Sequence, residues 1–345
     1  MKRAWLINRC VTDNIGDILI GESHKRILYD RRYHVTHLEI KGERSGQRDC
    51  FFLKLIWRLV SPEAFYFLRV LSFAPRAIKE RPDVISIGGG QLLLPRRSFS
   101  PPLLAWFIIA KLVGAKLIFF SVGTERPDKI PKGYTSFIKI IKFVCNRAES
   151  ISVRDQESKK YLTQVGCNKK IEIIPDCVYY TSLLLCSRIN EKKSDIVISL
   201  AHKGVVEDYS IFPSFKRYMD FVAEVLASEL HEGERISLIP TTKEDFIRQD
   251  LIALELKNRI NRNIVLPENF PTAEEYVRLI KSTRLVVSSR MHALIIADVS
   301  GVEAKPIPIN IKLASFAASK TGTELRSRQG QISAFADSVY GDQAI

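Results

Sequence analysis

The chain has 345 residues, more than one core usually holds and comfortable for two domains, and its 46% hydrophobic and 26% charged residues are ordinary for a globular protein. The formal net charge of +14 is unusual and points to an anionic partner: a phosphorylated small molecule, a nucleic acid or an acidic membrane surface. No block of Lys and Arg interleaved with aromatics occurs, which argues against nucleic acid, and the plainer alternative is diffuse charge that only aids solubility.

Strand and helix patterns alternate from end to end, which predicts parallel sheets with helices on both faces. The apolar part of MKRAWLINRC is too short for a signal peptide and reads as a first strand, Ala4 to Asn8. The loop after it holds Asn14, Ile15, Gly16 and Asp17, with a helix expected from about Ile18. Gly16 lets backbone approach a ligand, and Asn14 and Asp17 can orient N–H or hydroxyl groups. The same residue types also suit a plain strand-to-helix turn. A second strand is expected over His34 to Ile40. Phe51 to Phe73 mixes aromatics and leucines with Lys54, Arg58 and Arg69. That composition fits either a helix lying in a membrane interface or core helices broken at Ser61-Pro62.

Asp83 to Ile87 reads as a strand running into Gly88, Gly89, Gly90 and Gln91. Glycines at a strand's C-terminal end let ligand and backbone meet, where open α/β sheets usually bind ligands. Neither GxGxxG nor the GK[ST] of a Walker loop is present. Pro101 to Val122 is the most apolar stretch, but it contains Lys111 and Lys116 and changes character at Gly114. It predicts a buried helix and then a buried strand ending at Ser121 and Gly123, not a membrane span. Ile151 to Val153 is a short strand with Arg154 at its end, on the side of the glycine loop, and Asp155 capping the next helix. Ile171 to Pro175 is the last strand of this half. The six cysteines, Cys10, Cys50, Cys145, Cys167, Cys177 and Cys186, show no CxxC or zinc spacing, so free thiols in a reducing cytoplasm and no metal site are expected.

Cys186 to Asp195 is the most polar break and marks the domain boundary: 1–187, then 195–321, then a tail over 322–345 that is a helix packing back or partly disordered. The second half restarts with strand Ile196 to Leu200 and the loop His202, Lys203, Gly204. A long helix is expected over Pro213 to His231, a strand over Ile236 to Ile239, a helix containing Asp245, a strand over Asn263 to Leu266 and a helix over Thr272 to Ile280. Arg284 to Lys312, RLVVSSRMHALIIADVSGVEAKPIPINIK, then reads as strand, tight turn, helix, strand. The strands are placed at Leu285 to Ser288 and Lys305 to Ile309, with Gly301 ending the helix. Ser288 or Ser289 is expected to cap that helix. Free N–H groups and the positive end of the macrodipole make its first turn an anion site. Arg290 adds a fork for carboxylate or phosphate, and His292 a group that exchanges protons near neutral pH. The alternative is that these residues serve only as cap, surface charge and packing.

Taken together the motifs resemble the polysaccharide pyruvyl transferase family: N-x-G-D at Asn14 to Asp17, the GGG strand end at Gly88 to Gly90, S-V-G at Ser121 to Gly123, S-V-R-D-x-x-S at Ser152 to Ser158, Pro175-Asp176, S-x-R-x-H at Ser288 to His292, and Lys312. The resemblance implies two Rossmann-like domains facing a cleft, GT-B-like. It implies phosphoenolpyruvate as donor substrate, no cofactor, and a glycan or lipid-linked oligosaccharide as acceptor. The product would be a pyruvate ketal on a cell-surface glycan. The N-terminal domain would be the acceptor side and the C-terminal domain the phosphoenolpyruvate site. His292 would act as acid/base and Arg290 as anion clamp, with Arg154, Lys203 and Lys312 as further clamps. Asn14, Gly16, Asp17, Gly88, Gly89, Gly90, Gln91, Ser121, Gly123, Ser288 and Ser289 would line the substrates. A lipid-linked acceptor would place the protein in the cytoplasm or against the anionic inner face of the membrane. Two other functions suit the same pattern: a GT-B glycosyltransferase using a nucleotide sugar, and a non-catalytic protein holding an anionic glycan.

Overall fold

A computed structural model of the protein describes residues 1–42, 60–124, 134–180, 195–209, 211–310, 313–314 and 325–341. The chain forms two compact units: Met1–Thr12, Asp17–Thr181 and Arg328–Ile345 make the first, Asp13–Gly16 and Ser182–Ser327 the second. The polar break at Cys186 to Asp195 lies almost wholly outside the described residues.

The strands of the first unit are β1 (Arg3–Asn8), β2 (His34–Glu39), β3 (Val84–Gly88), β4 (Gln91–Leu93), β5 (Lys116–Thr124), β6 (Ser150–Val153) and β7 (Ile171–Ile173). They pair in parallel in the order β2-β1-β3-β5-β6-β7, with β4 beside the end of β5. β3 is buried throughout and β5 everywhere except Lys116, so both read as unbroken apolar runs rather than alternating ones. Between the strands run α1 (Ile15–Asp30), α2 (Pro62–Leu71), α3 (Ala74–Glu80), α4 (Ser100–Val113), α5 (Thr135–Arg147) and α6 (Gln156–Gln164). α4 ends at Gly114 with φ +72°, a left-handed turn that glycine takes without strain. Of the aromatic segment Phe51 to Phe73, residues 51–59 lie outside the described chain. In the remainder Phe65, Val70 and Phe73 are buried, and Ser61 caps α2 by accepting from the Ala64 N–H. These large side chains belong to the core.

α1 begins at Ile15, three residues before the expected start, because Asn14 Oδ1 accepts the Gly16 N–H at 2.9 Å and acts as its cap. The helix then passes over the end of β3. A β-carbon on Gly88 would lie 1.9 Å from His24 Nδ1, and one on Gly89 would lie 1.8 Å from Ile20 Cγ2. One on Gly90 would lie 3.3 Å from Asp17 Oδ1. Residues 17, 20 and 24 share one helix face. The three glycines thus form a seat for α1, and packing alone accounts for glycine at 88 and 89.

The second unit holds β8 (Ile196–Ser199), β9 (Ile236–Leu238), β10 (Ile264–Val265), β11 (Leu285–Ser288) and β12 (Glu303–Pro306), parallel and ordered β10-β9-β8-β11-β12. Its helices are α7 (Lys203–Tyr209), α8 (Phe215–Glu229), α9 (Lys243–Ile247), α10 (Gln249–Ile260), α11 (Ala273–Lys281) and α12 (Met291–Val299). β12 starts and stops earlier than the expected Lys305 to Ile309. Pro306 and Pro308 have no N–H to extend a ladder, and only the Ile307 N–H reaches Ser288 O, at 2.8 Å. Residues 13–16 are tied to the loop after β9: Ile15 N–H donates to Thr241 O at 2.9 Å, Lys243 N–H donates to Asp13 O at 3.0 Å, and Asn14 bridges Thr242. Each unit is a doubly wound, Rossmann-like sheet. The winding direction reverses between β1 and β3 in the first unit and between β8 and β11 in the second.

The last helix, α13 (Leu325–Tyr340), is joined from Arg328 onward to the first unit. Its Tyr340 hydroxyl meets Ser86 Oγ and lies 3.0 Å from His24 Nε2, while Arg31 pairs with Asp337 at 2.8 Å. Burial lowers the His24 pKa to about 3; burial, helped by Lys25, lowers that of His37 to about 4. Both stay neutral in the native protein at pH values where the unfolded chain takes up protons. Stability is therefore expected to fall as pH drops from 6.5 toward 4, by roughly 1.4 kcal/mol per pH unit for each histidine. Urea midpoints measured across that range should fall less steeply in His24→Gln by one proton's worth. Parallel profiles for the two proteins would show that His24 titrates normally in the native state.

Candidate functional site

The reversal between β8 and β11 places the ends of these strands where open parallel sheets bind ligands. The turn after β11 is held to the β8 end by its serines. Ser288 Oγ accepts the Arg290 N–H at 2.9 Å and donates to Ser199 O at 2.7 Å. Ser289 Oγ accepts the Ala201 N–H at 2.8 Å and lies 2.8 Å from the Tyr218 hydroxyl. Neither serine caps α12, contrary to expectation, because both hydroxyls are committed across the sheet. Arg290 occupies the N-cap position and makes no side-chain capping bond. Beneath the turn Ser199 Oγ, Thr241 Oγ1 and Tyr276 OH form a triangle with sides of 2.9, 3.0 and 2.8 Å. Burial pushes the Tyr276 phenol up to about 12 and raises that of Tyr218 too, so both remain protonated scaffolding.

Asp245 joins the loops. It is 2% exposed and pairs with the Arg290 guanidinium through Nη2. It also accepts the His202 N–H at 3.3 Å and the Thr242 N–H at 3.2 Å, and its own N–H donates to Thr242 Oγ1 at 3.1 Å, closing a capping box at the start of α9. The His202 ring is buried, and its Nδ1 makes no hydrogen bond among the described residues. Burial lowers its pKa against the opposing pull of Asp245. His292, the second residue of α12, lies against bare backbone: a β-carbon on Gly16 would come within 2.0 Å of its Nδ1.

The expected site residues fall into two groups, one in each unit. Asn14, Gly16, Ser288, Ser289, Arg290 and His292 come together in the second, with Asp245 and His202 added. Lys203 does not join them. It is exposed on α7, its Nζ 3.6 Å from Glu207, because the chain turns inward at His202 and outward one residue later. Lys312 lies outside the described residues.

In the first unit Asp17, Gly88, Gly89, Gly90, Gln91, Ser121, Gly123 and Arg154 gather at the ends of β3, β5 and β6. Asp17 pairs with Arg9 at 3.1 Å. Arg154 Nη1 lies 3.1 Å from Asp176 Oδ2, both side chains nearly buried, so its charge is matched within the fold. A β-carbon on Gly123 would approach Arg154 Nε at 3.0 Å. Ser121 has φ +52° at a register shift between β5 and β6; it donates to Pro175 O at 3.0 Å, and its N–H donates to Ser152 Oγ at 2.9 Å. Gln91 is exposed, its amide donating to Thr124 O at 3.3 Å. No group of three or more His, Cys, Asp or Glu placed to hold a metal occurs among the described residues.

Two Rossmann-like units, one of them carrying a histidine and a braced arginine at a helix start beside its switch point, define a doubly wound, parallel α/β class of protein. The sequence pattern of the polysaccharide pyruvyl transferase family matches residues 14–308, and the chain belongs to that family. No curated protein matches the chain in sequence. Among solved structures it is similar to the UDP-GlcNAc 2-epimerase of Methanocaldococcus jannaschii, with a TM-score of 0.57 at 14% identity, over 100% of this chain and 94% of that one. It is also similar to the UDP-GlcNAc 2-epimerase of Neisseria meningitidis bound to UDP-GlcNAc, with a TM-score of 0.57 at 12% identity over 100% and 94%. A putative UDP-N-acetylglucosamine 2-epimerase of Listeria monocytogenes gives 0.55 at 12% over 98% and 94%. At such identities the likeness establishes the fold, a GT-B-like one.

The Asp245–Arg290 pair predicts a coupling. Asp245→Ala leaves a partly buried guanidinium without its carboxylate and two loop N–H groups without their acceptor, and should cost about 1–3 kcal/mol of stability. Adding Arg290→Ala should recover part of that loss, since no lone charge remains. Denaturant unfolding of both single variants and the double variant measures the coupling, and strictly additive costs would mean the pair contributes nothing.

Proposed function

We propose that the protein transfers pyruvate from phosphoenolpyruvate to two hydroxyls of one sugar, forming a pyruvate ketal on a cell-surface glycan or its lipid-linked precursor. The observation that carries this reading is the start of α12. There Arg290 is braced by Asp245 and His292 is seated on Gly16, in a chain of the pyruvyl transferase family. Phosphoenolpyruvate carries a carboxylate and a phosphate, which suit a guanidinium fork beside an N-terminus without a side-chain cap.

The reaction adds a proton to C3 of the enol, so that C2 becomes oxocarbenium-like. One sugar hydroxyl bonds to C2, the bond from C2 to the phosphate oxygen breaks, and the second hydroxyl closes the ring. Two hydroxyl protons are released; in the balance one offsets the proton taken by C3 and the other leaves with phosphate. His292 is assigned the proton transfer and Arg290 the anion contact. Asp245 holds the guanidinium by Nη2 and restrains the side chain, so less of its freedom would be lost when the anion arrives.

A nucleotide sugar is the competing donor, because one structure of the same fold is bound to UDP-GlcNAc and a diphosphate also suits a helix start. Incubation with phosphoenolpyruvate and a panel of glycosides, following ketal mass and phosphate release, separates the two. Ketal formed without nucleotide and uninhibited by UDP is the expected result. Transfer of a sugar from a UDP-sugar, with phosphoenolpyruvate inert, would overturn the proposal.

Two variants divide chemistry from binding. His292→Ala should keep phosphoenolpyruvate affinity and lose roughly 10²- to 10⁴-fold in turnover. Arg290→Ala should weaken donor binding by about 1.5–3 kcal/mol. Gly16→Ala is expected to resemble His292→Ala, since the new methyl displaces the imidazole while alanine suits a helix better than glycine. Turnover and donor affinity, with apo melting temperatures as the folding control, decide each case. Normal turnover in a folded His292→Ala protein would remove His292 from the chemistry.

A further inference from the structure

We propose that the α4–α5 face of the first unit docks on an anionic lipid bilayer. α4 is mostly buried, but Ile108 and Leu112, four residues apart on one face, are 36% and 57% exposed. α5 packs beside it: the Phe107 and Phe143 rings meet edge-on at 5.4 Å, and Phe143 is left 39% exposed. Lys139, Phe143 and Arg147 follow one another at four-residue spacing, so an aromatic sits between two cations on a single stripe. The Arg147 guanidinium lies 4.0 Å from the Phe143 ring centre, and Lys111 Nζ lies 5.7 Å from that of Phe107. Neither helix contains an Asp or a Glu. Three exposed apolar side chains are therefore rimmed by cations that nothing within the two helices neutralises.

That combination selects the partner. Apolar side chains insert shallowly among acyl chains, while long cationic stems lie along them with their charges at the headgroups. An exposed apolar stripe elsewhere, Ile247, Leu251 and Leu254 on α9 and α10, is flanked by both signs of charge, Arg248 beside Asp250, and lacks this complementarity. No helix among the described residues is long and apolar enough to cross a membrane, so the contact is peripheral. The net charge of +14 adds long-range attraction to the same surface. The proposal does not depend on the reaction assigned above.

Flotation of the full chain with vesicles of phosphatidylcholine alone, and with phosphatidylglycerol added, tests it. Binding to the anionic vesicles at low salt, release at high salt and little binding to neutral vesicles are expected. Each basic residue near an anionic surface contributes roughly fivefold to binding, so Lys139→Glu/Arg147→Glu should lose at least about 25-fold. Lys216→Glu/Lys257→Glu changes the net charge equally at exposed positions of the second unit and should keep most of the binding. Phe143→Ser should weaken binding while leaving its salt dependence. Equal loss in the two charge-reversed variants would assign binding to diffuse charge, and absence of flotation at low salt would overturn the proposal outright. A lipid-independent dimer that Phe143→Ser abolishes would show that a second copy covers the face instead.

Discussion

One buried carboxylate, Asp245, holds the strand-end loops of the second unit together. It joins the loop after β8 through His202, the start of α9 through Thr242 and the turn before α12 through Arg290. Burying a charge in this way is costly unless it is both paired and hydrogen-bonded, and here every strong partner comes from a different segment. The cost of a misplaced loop is therefore high, and the arginine side chain is restrained through Nη2. The serines perform the same kind of work without charge. Ser288 and Ser289 tie the turn after β11 to the backbone leaving β8, fixing the two strand ends between which the sheet's winding reverses.

Bare backbone is the second constraint. Gly16, the second residue of α1, lies against the His292 ring, while Asp17, Ile20 and His24 of the same helix lie over Gly90, Gly89 and Gly88. A methyl group at 16, 88 or 89 would collide with an imidazole or an isoleucine. Gly16, Gly88 and Gly89 are thus places where two elements touch. The triple glycine, which looks in sequence like an invitation to a ligand, is filled by the protein's own helix at two of its three positions.

The strand β11, the helix α12 and the alternation of the two sheets were legible because they depend on local periodicity and on unbroken apolar runs. Arg290 and His292 were legible as a pair because two residues at a helix start must lie near its N–H groups. What was not legible depends on partners far away in sequence. Ser288 and Ser289 have the chemistry of caps, and only their closeness to Ser199 and Ala201 makes them staples instead. Asp245 carries a signal in sequence, the Thr242-x-x-Asp245 spacing, but that pattern announces a helix start and is silent about an arginine 45 residues on. Lys203 has the right charge and the wrong side of a turn, while its buried neighbour His202 takes the inward place.

The histidines show how placement sorts chemically identical groups. Of six in the chain, His24 and His202 are buried and His37 largely so, and burial drives all three toward the neutral form. His34 and His231 are exposed, with no place in the cluster around Arg290. His292 alone combines a half-buried position, a rigid seat and a neighbouring cation whose charge is already balanced by Asp245. That balance has a consequence for anion binding. An unpaired Arg290 would attract any anion strongly and indiscriminately. A paired one presents only its remaining N–H donors, so geometry would weigh more heavily than net charge in what the proposed site accepts. For the proposed donor, selectivity at this helix start would therefore rest on the shape of the anion, a requirement Asp245 would impose without touching it.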